Sequence, residues 1–408
     1  MERLYYTLIL LFSFHHILGQ SLSNSILLKS DVLGEQREIK IFLPNNYEND
    51  SKTYPVLYVI DAQRYFLNGV VFQQNLAWQE IAPEFIVVGV NTDPVKRRNL
   101  FYTESAKFIW FLEKELIPKI DYEYRTTDER VYFGWEMAGG LGVQMLTNKT
   151  DLFQGYLLSS PTHITKDRLK SVSEMLKNNP KQRLAVYSVL GTVENWATES
   201  MFSLDSVFKQ HSTENIQWKF DLSDKENHYT TPLTTINEGL KLFFNDYGPI
   251  RFFSVSEFEE FGGIEKLKQH YNNRAKRYET SNDIHDDTKH YLILQAHKEN
   301  NFNLFDALVR EFNGKIFIKN YYRQPRWFNK FSSFYFDNGR LEDALEILNL
   351  GLDKFPNAST LHFSKANHFR AIGNIKESEI WYEKAIKIAK TKNEPELEEY
   401  KSRWKKNN

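Results

Sequence analysis

The stretch Arg130–Gln144, "RVYFGWEMAGGLGVQ", decides how this chain is read. Its first half, "VYFG", has the apolar run of a buried strand, and "MAGGLGVQML" begins a helix, so a glutamate, Glu136, stands at the corner between them. Gly134 and Ala138 lie two positions to either side. Small residues at those places let a chain turn sharply enough to raise the central side chain above the sheet, the steric pattern G-x-Nu-x-G of a nucleophile elbow. Such corners ordinarily carry a nucleophilic hydroxyl. Here the position holds a carboxylate.

Outward from that corner, residues 25–248 alternate strand-like and helix-like segments. "EIKIFLP", "YPVLYVID", "EFIVVGVN" and "RLAVYSVLG" read as strands and "FIWFLEKELIPKI" as a helix, which predicts a mostly parallel sheet covered by helices. Ligands of such sheets bind at the carboxyl ends of the strands. Asp61, Asn91, Glu136 and Gly191 fall at those ends. Gly248 and Pro249 then interrupt the pattern, and 249–262 reads as a linker.

Beyond it the periodicity is helical. Gly339 and Gly373, Tyr335 and Phe369, Ala344 and Ser378, Leu348 and Tyr382, and Gly351 and Ala385 each pair at an offset of 34 residues. That period and its small crossing residues resemble the tetratricopeptide repeat, with Pro356 closing the first unit. The clear repeats are 325–358 and 359–392, within a helical region spanning 263–408. Two units are fewer than the roughly three usually needed for stability, so "GIEKLKQHYNNRAKRY" and "TKHYLILQAHKEN" are expected to add degenerate helices. The resemblance implies a protein-docking surface, with the first helix of each unit lining the concave face and Asn329 and Lys365 as exposed contact positions.

Composition narrows the function classes. With 41% hydrophobic and 26% charged residues the chain is globular, and a net charge of −1 gives no case for nucleic acid as a partner. There are no cysteines, which excludes disulfides, thiol catalysis and a lipid-modified cysteine anchor. No metal constellation or cofactor motif is visible, since "GWEMAGGLG" lacks the lysine of a phosphate-binding loop. Residues 1–20, "MERLYYTLILLFSFHHILGQ", have the charged start and short apolar run of a secretory signal, so a periplasmic or secreted protein without a membrane span is expected after cleavage.

Five ordered landmarks in the first part make it similar to the bacterial esterase family of α/β-hydrolases that includes enterochelin esterases, esterase D and feruloyl esterases. They are "PVLYVIDAQRYF", "FIVVGVN" followed by Arg98, "FLEKELIPKIDYEYRT", "DLFQGYLLSSP" and "ENHYTTPLTTINEGLKLFF". The resemblance implies an α/β-hydrolase domain over 21–248, with a serine on the elbow, then an acid, then a histidine. It places Glu136 at the nucleophile position and His228 as the histidine. Glu194 becomes the acid, with Asp221, Asp224 and Glu226 as alternatives. Oxyanion donors would be the backbone N–H of Met137 and that of Ala62 or Gln63. Ser159 and Ser160 belong to the following strand end and lack elbow sterics.

These features predict a hydrolase-fold protein that is not a serine esterase and instead binds a small ester-like or carbohydrate-derived ligand, or a protein partner. Pairing of His228 with Glu136 would stabilise such a pocket without turnover. The alternative is an active hydrolase in which Glu136 attacks as a nucleophile beside His228.

Overall fold

Val131 to Trp135 are all buried, because this strand lies inside the sheet with a parallel neighbour on each side and helices over both faces. The computed structural model describes residues 24–148, 151–178, 182–211 and 213–405, so the leader-like residues 1–20 lie outside the described residues. Contacts divide the chain into two compact units, with the break between Gly248 and Pro249.

The first unit is an eight-stranded sheet. Its strands are β1 (Asn24–Ser30), β2 (Glu35–Phe42), β3 (Tyr54–Ile60), β4 (Ile86–Val90), β5 (Thr126–Trp135), β6 (Gly155–Ser159), β7 (Leu184–Gly191) and β8 (Ile216–Ser223). They lie in the order β1-β2-β4-β3-β5-β6-β7-β8. The β1–β2 and β2–β4 pairs are antiparallel and the other five are parallel. The helices between and after them are α1 (Ala62–Trp78), α2 (Ser105–Phe111), α3 (Ile117–Glu123), α4 (Met137–Asn148), α5 (Lys166–Lys177), α6 (Asn195–Gln210) and α7 (Thr231–Phe243). The single helix expected over "FIWFLEKELIPKI" is α2 and α3 joined through a wider π-type turn at Leu112–Leu116. This is the α/β-hydrolase architecture. Because β3 and β5 are hydrogen-bonded neighbours running in one direction, α1 and α4 both start at the same edge of the sheet.

The second unit is helical throughout its described residues. It comprises α8 (Val255–Phe261), α9 (Gly263–Tyr278), α10 (Asp286–Lys298), α11 (Phe302–Glu311), α12 (Gly314–Tyr321), α13 (Pro325–Asp337), α14 (Leu341–Lys354), α15 (Ser359–Ala371), α16 (Ile375–Lys392) and α17 (Leu397–Lys405). The stretch expected as a linker contains α8, capped by the Ser254 hydroxyl, and Phe252 and Phe258 join the core of this unit. Two apolar rings needing burial are the reason the segment folds rather than spans.

The region fits a TPR-like domain. The pairs α13–α14 and α15–α16 occupy the two clear repeats, and Gly339 and Gly373 turn both hairpins at φ of +75° and +79°. One crossing contact is made twice from opposite sides. Ser332 on α13 donates to the Ala344 carbonyl on α14 at 2.9 Å, whereas Ser378 on α16 donates to the Ala366 carbonyl on α15 at 2.9 Å. The serine and alanine have exchanged places between repeats while the hydrogen bond is kept.

Candidate active site

Glu136 occupies the corner between β5 and α4 with φ of +59°, a left-handed conformation uncommon for a residue with a side chain. The turn is held from both sides. The Glu136 N–H donates to the Ser159 carbonyl at 2.9 Å, and its own carbonyl accepts from Gly140 at 3.1 Å and Thr162 at 3.0 Å. Gly134 is required by the same closeness, since a Cβ there would lie 2.6 Å from the Ala138 backbone.

The carboxylate of Glu136 accepts a hydrogen bond from Arg97 Nη1. That guanidinium is buried and is itself held by Asp61, with Nη2 at 2.9 Å from Oδ2 and Nε at 3.1 and 3.2 Å from the two oxygens. Arg97 Nη2 also reaches the Trp135 carbonyl at 3.3 Å, and its guanidinium lies over the Trp135 ring at 4.9 Å. Thr92 donates to Asp61 and Gln63 braces Thr92, so the cation is set by residues from the ends of β3 and β4. Burial alone would make Arg97 easier to deprotonate, but the facing Asp61 carboxylate, helped by Glu136, outweighs it and keeps the guanidinium charged. The arginine counted among the family landmarks is Arg98. The buried partner is Arg97, and Arg98 is exposed beside the Tyr102 ring. Nothing in "VKRRN" distinguishes the two arginines before the loop is folded.

The second half of the site is an acid–imidazole pair. Glu194, wholly buried just beyond β7, has Oε2 at 2.7 Å from His228 Nδ1, while its Oε1 accepts from the Gly191 N–H at 2.9 Å and the Ser160 hydroxyl at 2.8 Å. Burial pushes the Glu194 pKa up, yet the hydrogen bond from His228, with those from Gly191 and Ser160, holds it below the ordinary glutamate value. The other acids considered are engaged elsewhere or outlying. Asp221 accepts from the Tyr187 hydroxyl, Glu226 from Thr234, and Asp224 is exposed. The His228 ring packs against Trp135 at 4.8 Å, tilted by 45°, and its backbone carbonyl accepts from the Trp135 indole N–H at 2.8 Å.

The structure therefore corrects the expected pairing of His228 with Glu136. Among the described residues no hydrogen bond joins them, because Arg97 takes the elbow carboxylate and Glu194 takes the imidazole. Ser159 and Ser160, distant in sequence from the elbow, are near it in space. Both are fully buried, and Ser160 is bound to Glu194 and Thr231 rather than to the imidazole. Met137 is the first residue of α4, and Ala62 and Gln63 are the first two of α1, so their N–H groups belong to helix starts with no partner in the preceding turn. Among the described residues no group of three or more His, Asp or Glu side chains could hold a metal ion, and no helix is long and apolar enough to cross a membrane.

The family model described as "Putative esterase" matches residues 30–231. The first unit belongs to that esterase family of α/β-hydrolases. Among solved structures, an IroE-like serine hydrolase from Shewanella oneidensis aligns at 18% identity over 71% of this chain and 99% of its own, with a TM-score of 0.54. An uncharacterised protein from Capnocytophaga ochracea aligns at 19% identity over 89% of this chain and 93% of its own, with a TM-score of 0.58, so that likeness extends into the helical unit. Both are similarities of fold. Comparison with curated proteins finds no match.

Proposed function

We propose that this esterase-family domain does not carry out serine-type ester hydrolysis and serves as a ligand-binding module, with the helical unit as a surface for a protein partner outside the cytoplasm. The observation that supports this reading is the engagement of Glu136: the residue in the elbow conformation is ion-paired to the Asp61-bound Arg97 and makes no hydrogen bond to His228. A carboxylate attacking an acyl ester would form a mixed anhydride and expel an alkoxide, a much poorer leaving group than the carboxylate itself, so the adduct reverts. The ligand class that fits is a small ester-like or carbohydrate-derived molecule bound beside the Trp135 and His228 rings.

The retained Glu194–His228 pair favours one second reading. In it Glu136 displaces a leaving group from an sp³ carbon, forming a glutamyl ester and releasing the leaving group with its electron pair. Water deprotonated by His228 then hydrolyses the ester and returns the free carboxylate. Only that chemistry uses both halves of the site.

One assay separates the two. Purified protein is screened against activated acyl esters and alkyl halides alongside Glu136→Ser, Glu136→Gln and His228→Ala variants. The binding reading expects no turnover by the wild type and weak activity on activated acyl esters in Glu136→Ser, because the imidazole pair and helix-start N–H groups are already assembled. Turnover of a halide by the wild type that both Glu136→Gln and His228→Ala abolish would establish the second reading instead.

A further inference from the structure

Two equivalent helices of the tandem repeats differ along one face. On α13 the residues at 328, 331 and 334 are phenylalanines, all buried in the apolar core of the helical unit. The residues 34 positions later, on α15, are His362, Lys365 and His368. The two histidines are 8% and 4% exposed. Lys365, expected above as an exposed contact position, is half-buried, with its ammonium 3.8 Å from the centre of the Trp381 ring. A wholly apolar stripe in one repeat is therefore a titratable stripe in the next, although it stays largely covered.

This stripe stands where one core ends and another begins. The main apolar cluster of the unit extends from Phe252 to Leu361, at the start of α15. A separate small cluster of Ala385, Ala389 and Tyr400, with Phe363 stacked on Tyr400 at 4.3 Å, ties α15 to α16 and α17. Between the two, His368 packs on Phe336 of α13 at 5.7 Å, and Lys365 donates to Asn349 of α14 at 2.6 Å. His362 stacks on Trp381 of α16 at 5.4 Å, and its Nε2 lies 2.8 Å from the Pro356 carbonyl. That carbonyl can only accept, so Nε2 carries the proton and Nδ1 of the neutral ring is bare.

Charging either imidazole puts a proton on both of its nitrogens. Nδ1 of His362 and Nδ1 of His368 are each buried, and among the described residues neither has a hydrogen-bond partner, so the charged rings would hold unmet buried donors. The surrounding charges oppose protonation as well. His362 faces Lys384 of α16 and Lys365, and His368 faces Lys365, while the carboxylates of Asp353 on α14 and Glu377 on α16 act on Lys365. Burial, with these lysines and despite the Pro356 bond at His362, holds both imidazoles below their ordinary value of 6.5.

We propose that α15 is a pH-sensitive joint, and that protonation of His362 and His368 in mild acid loosens the last repeat, α15–α17, from α13 and α14. Both rings are neutral when packed and free to charge when released. The packing is therefore fully kept above the released value of 6.5 and is lost as pH falls from there through the packed values. Each histidine raises the released population by up to about tenfold per pH unit in that window. Two rings of α10 add a smaller response of their own. His297 packs on Phe334 at 4.7 Å with Lys330 facing it, and His290 lies 2.9 Å from the Tyr322 hydroxyl with Asp287 and Lys298 facing it; burial holds both down.

The test is hydrogen exchange followed by mass spectrometry on the full chain at about pH 7.5 and 5.5, with rates corrected for the intrinsic pH dependence of amide exchange. Protection of α15 and α16 is expected to fall about tenfold or more in acid, and that of β5 in the first unit less than about twofold. His362→Phe with His368→Phe installs the side chains that α13 already carries, and is expected to limit the fall to about threefold or less. Should the larger rings not fit, His362→Gln with His368→Gln makes the same test with side chains that do not titrate. Unchanged protection of α15 and α16 at the lower pH, a fall shared equally by β5, or a fall as large in the double variants as in the wild type overturns the proposal.

Discussion

The two halves of the candidate site stand on neighbouring parts of one sheet and are built in opposite ways. Glu194 and His228 make a two-residue pair in which one buried carboxylate is fully satisfied, by an imidazole, a backbone N–H and a hydroxyl. Asp61, Arg97 and Glu136 make a three-residue ion cluster in which one guanidinium serves two carboxylates. The first arrangement leaves the imidazole oriented for proton transfer, with its other nitrogen outside the pair. The second immobilises the residue on the elbow. A site can thus keep the geometry of an acid–base pair while its elbow side chain is tied into the fold.

The comparison is most exposed to a change at Arg97. Replacing it by Met leaves Asp61 buried without a cation, and breaking a buried pair from one side typically costs about 3–5 kcal/mol. Denaturant unfolding of the Arg97→Met protein is expected to show a loss of that size. A loss below about 1 kcal/mol would mean that the cluster behaves as a surface ion pair, and that Glu136 is free to take other partners.

A smaller effect is expected at the other half. Glu194→Gln removes the charge that orients His228 and is expected to cost about 1–3 kcal/mol near neutral pH. Its pH dependence has a definite sign. Because the Glu194 pKa lies below 4.5 in the fold, its contribution is fully present above that value and is lost as pH falls through the folded pKa. The stability gap between wild type and Glu194→Gln should therefore close on acidification. A gap that stays constant below pH 4.5 would assign the loss to packing instead.

The smallest change is expected at the elbow itself. Glu136 is about a quarter exposed, and Glu136→Gln keeps an oxygen facing Arg97 while Asp61 still balances the charge. A cost of about 1 kcal/mol or less is expected by chemical denaturation. A penalty matching that of Arg97→Met would show that all three charges act as one structural unit.

Much of this was legible in the chain. Apolar runs at Tyr54–Ile60, Ile86–Val90 and Leu184–Gly191 identify strands buried on both faces, because only a parallel sheet covered by helices hides such runs. Small residues around Glu136 mark the sharp corner, since a Cβ at Gly134 would strike the Ala138 backbone. The 34-residue spacing locates the paired helices by the same logic of small residues at crossings. What the sequence could not determine is which polar groups face one another. Arg97 lies 39 residues before Glu136 and 36 after Asp61, and it beats its neighbour Arg98 only because the loop after β4 points one of the two inward. The family resemblance named Glu194 as the acid for His228, beside Asp221, Asp224 and Glu226, but left a pairing with Glu136 open, and that was decided by Ser160 and the Gly191 N–H fixing Glu194 and by Arg97 claiming Glu136. Local sterics and hydropathy act through adjacent residues and are written in order along the chain. The partner of a buried charge is decided by what else the fold brings within about 3 Å of it.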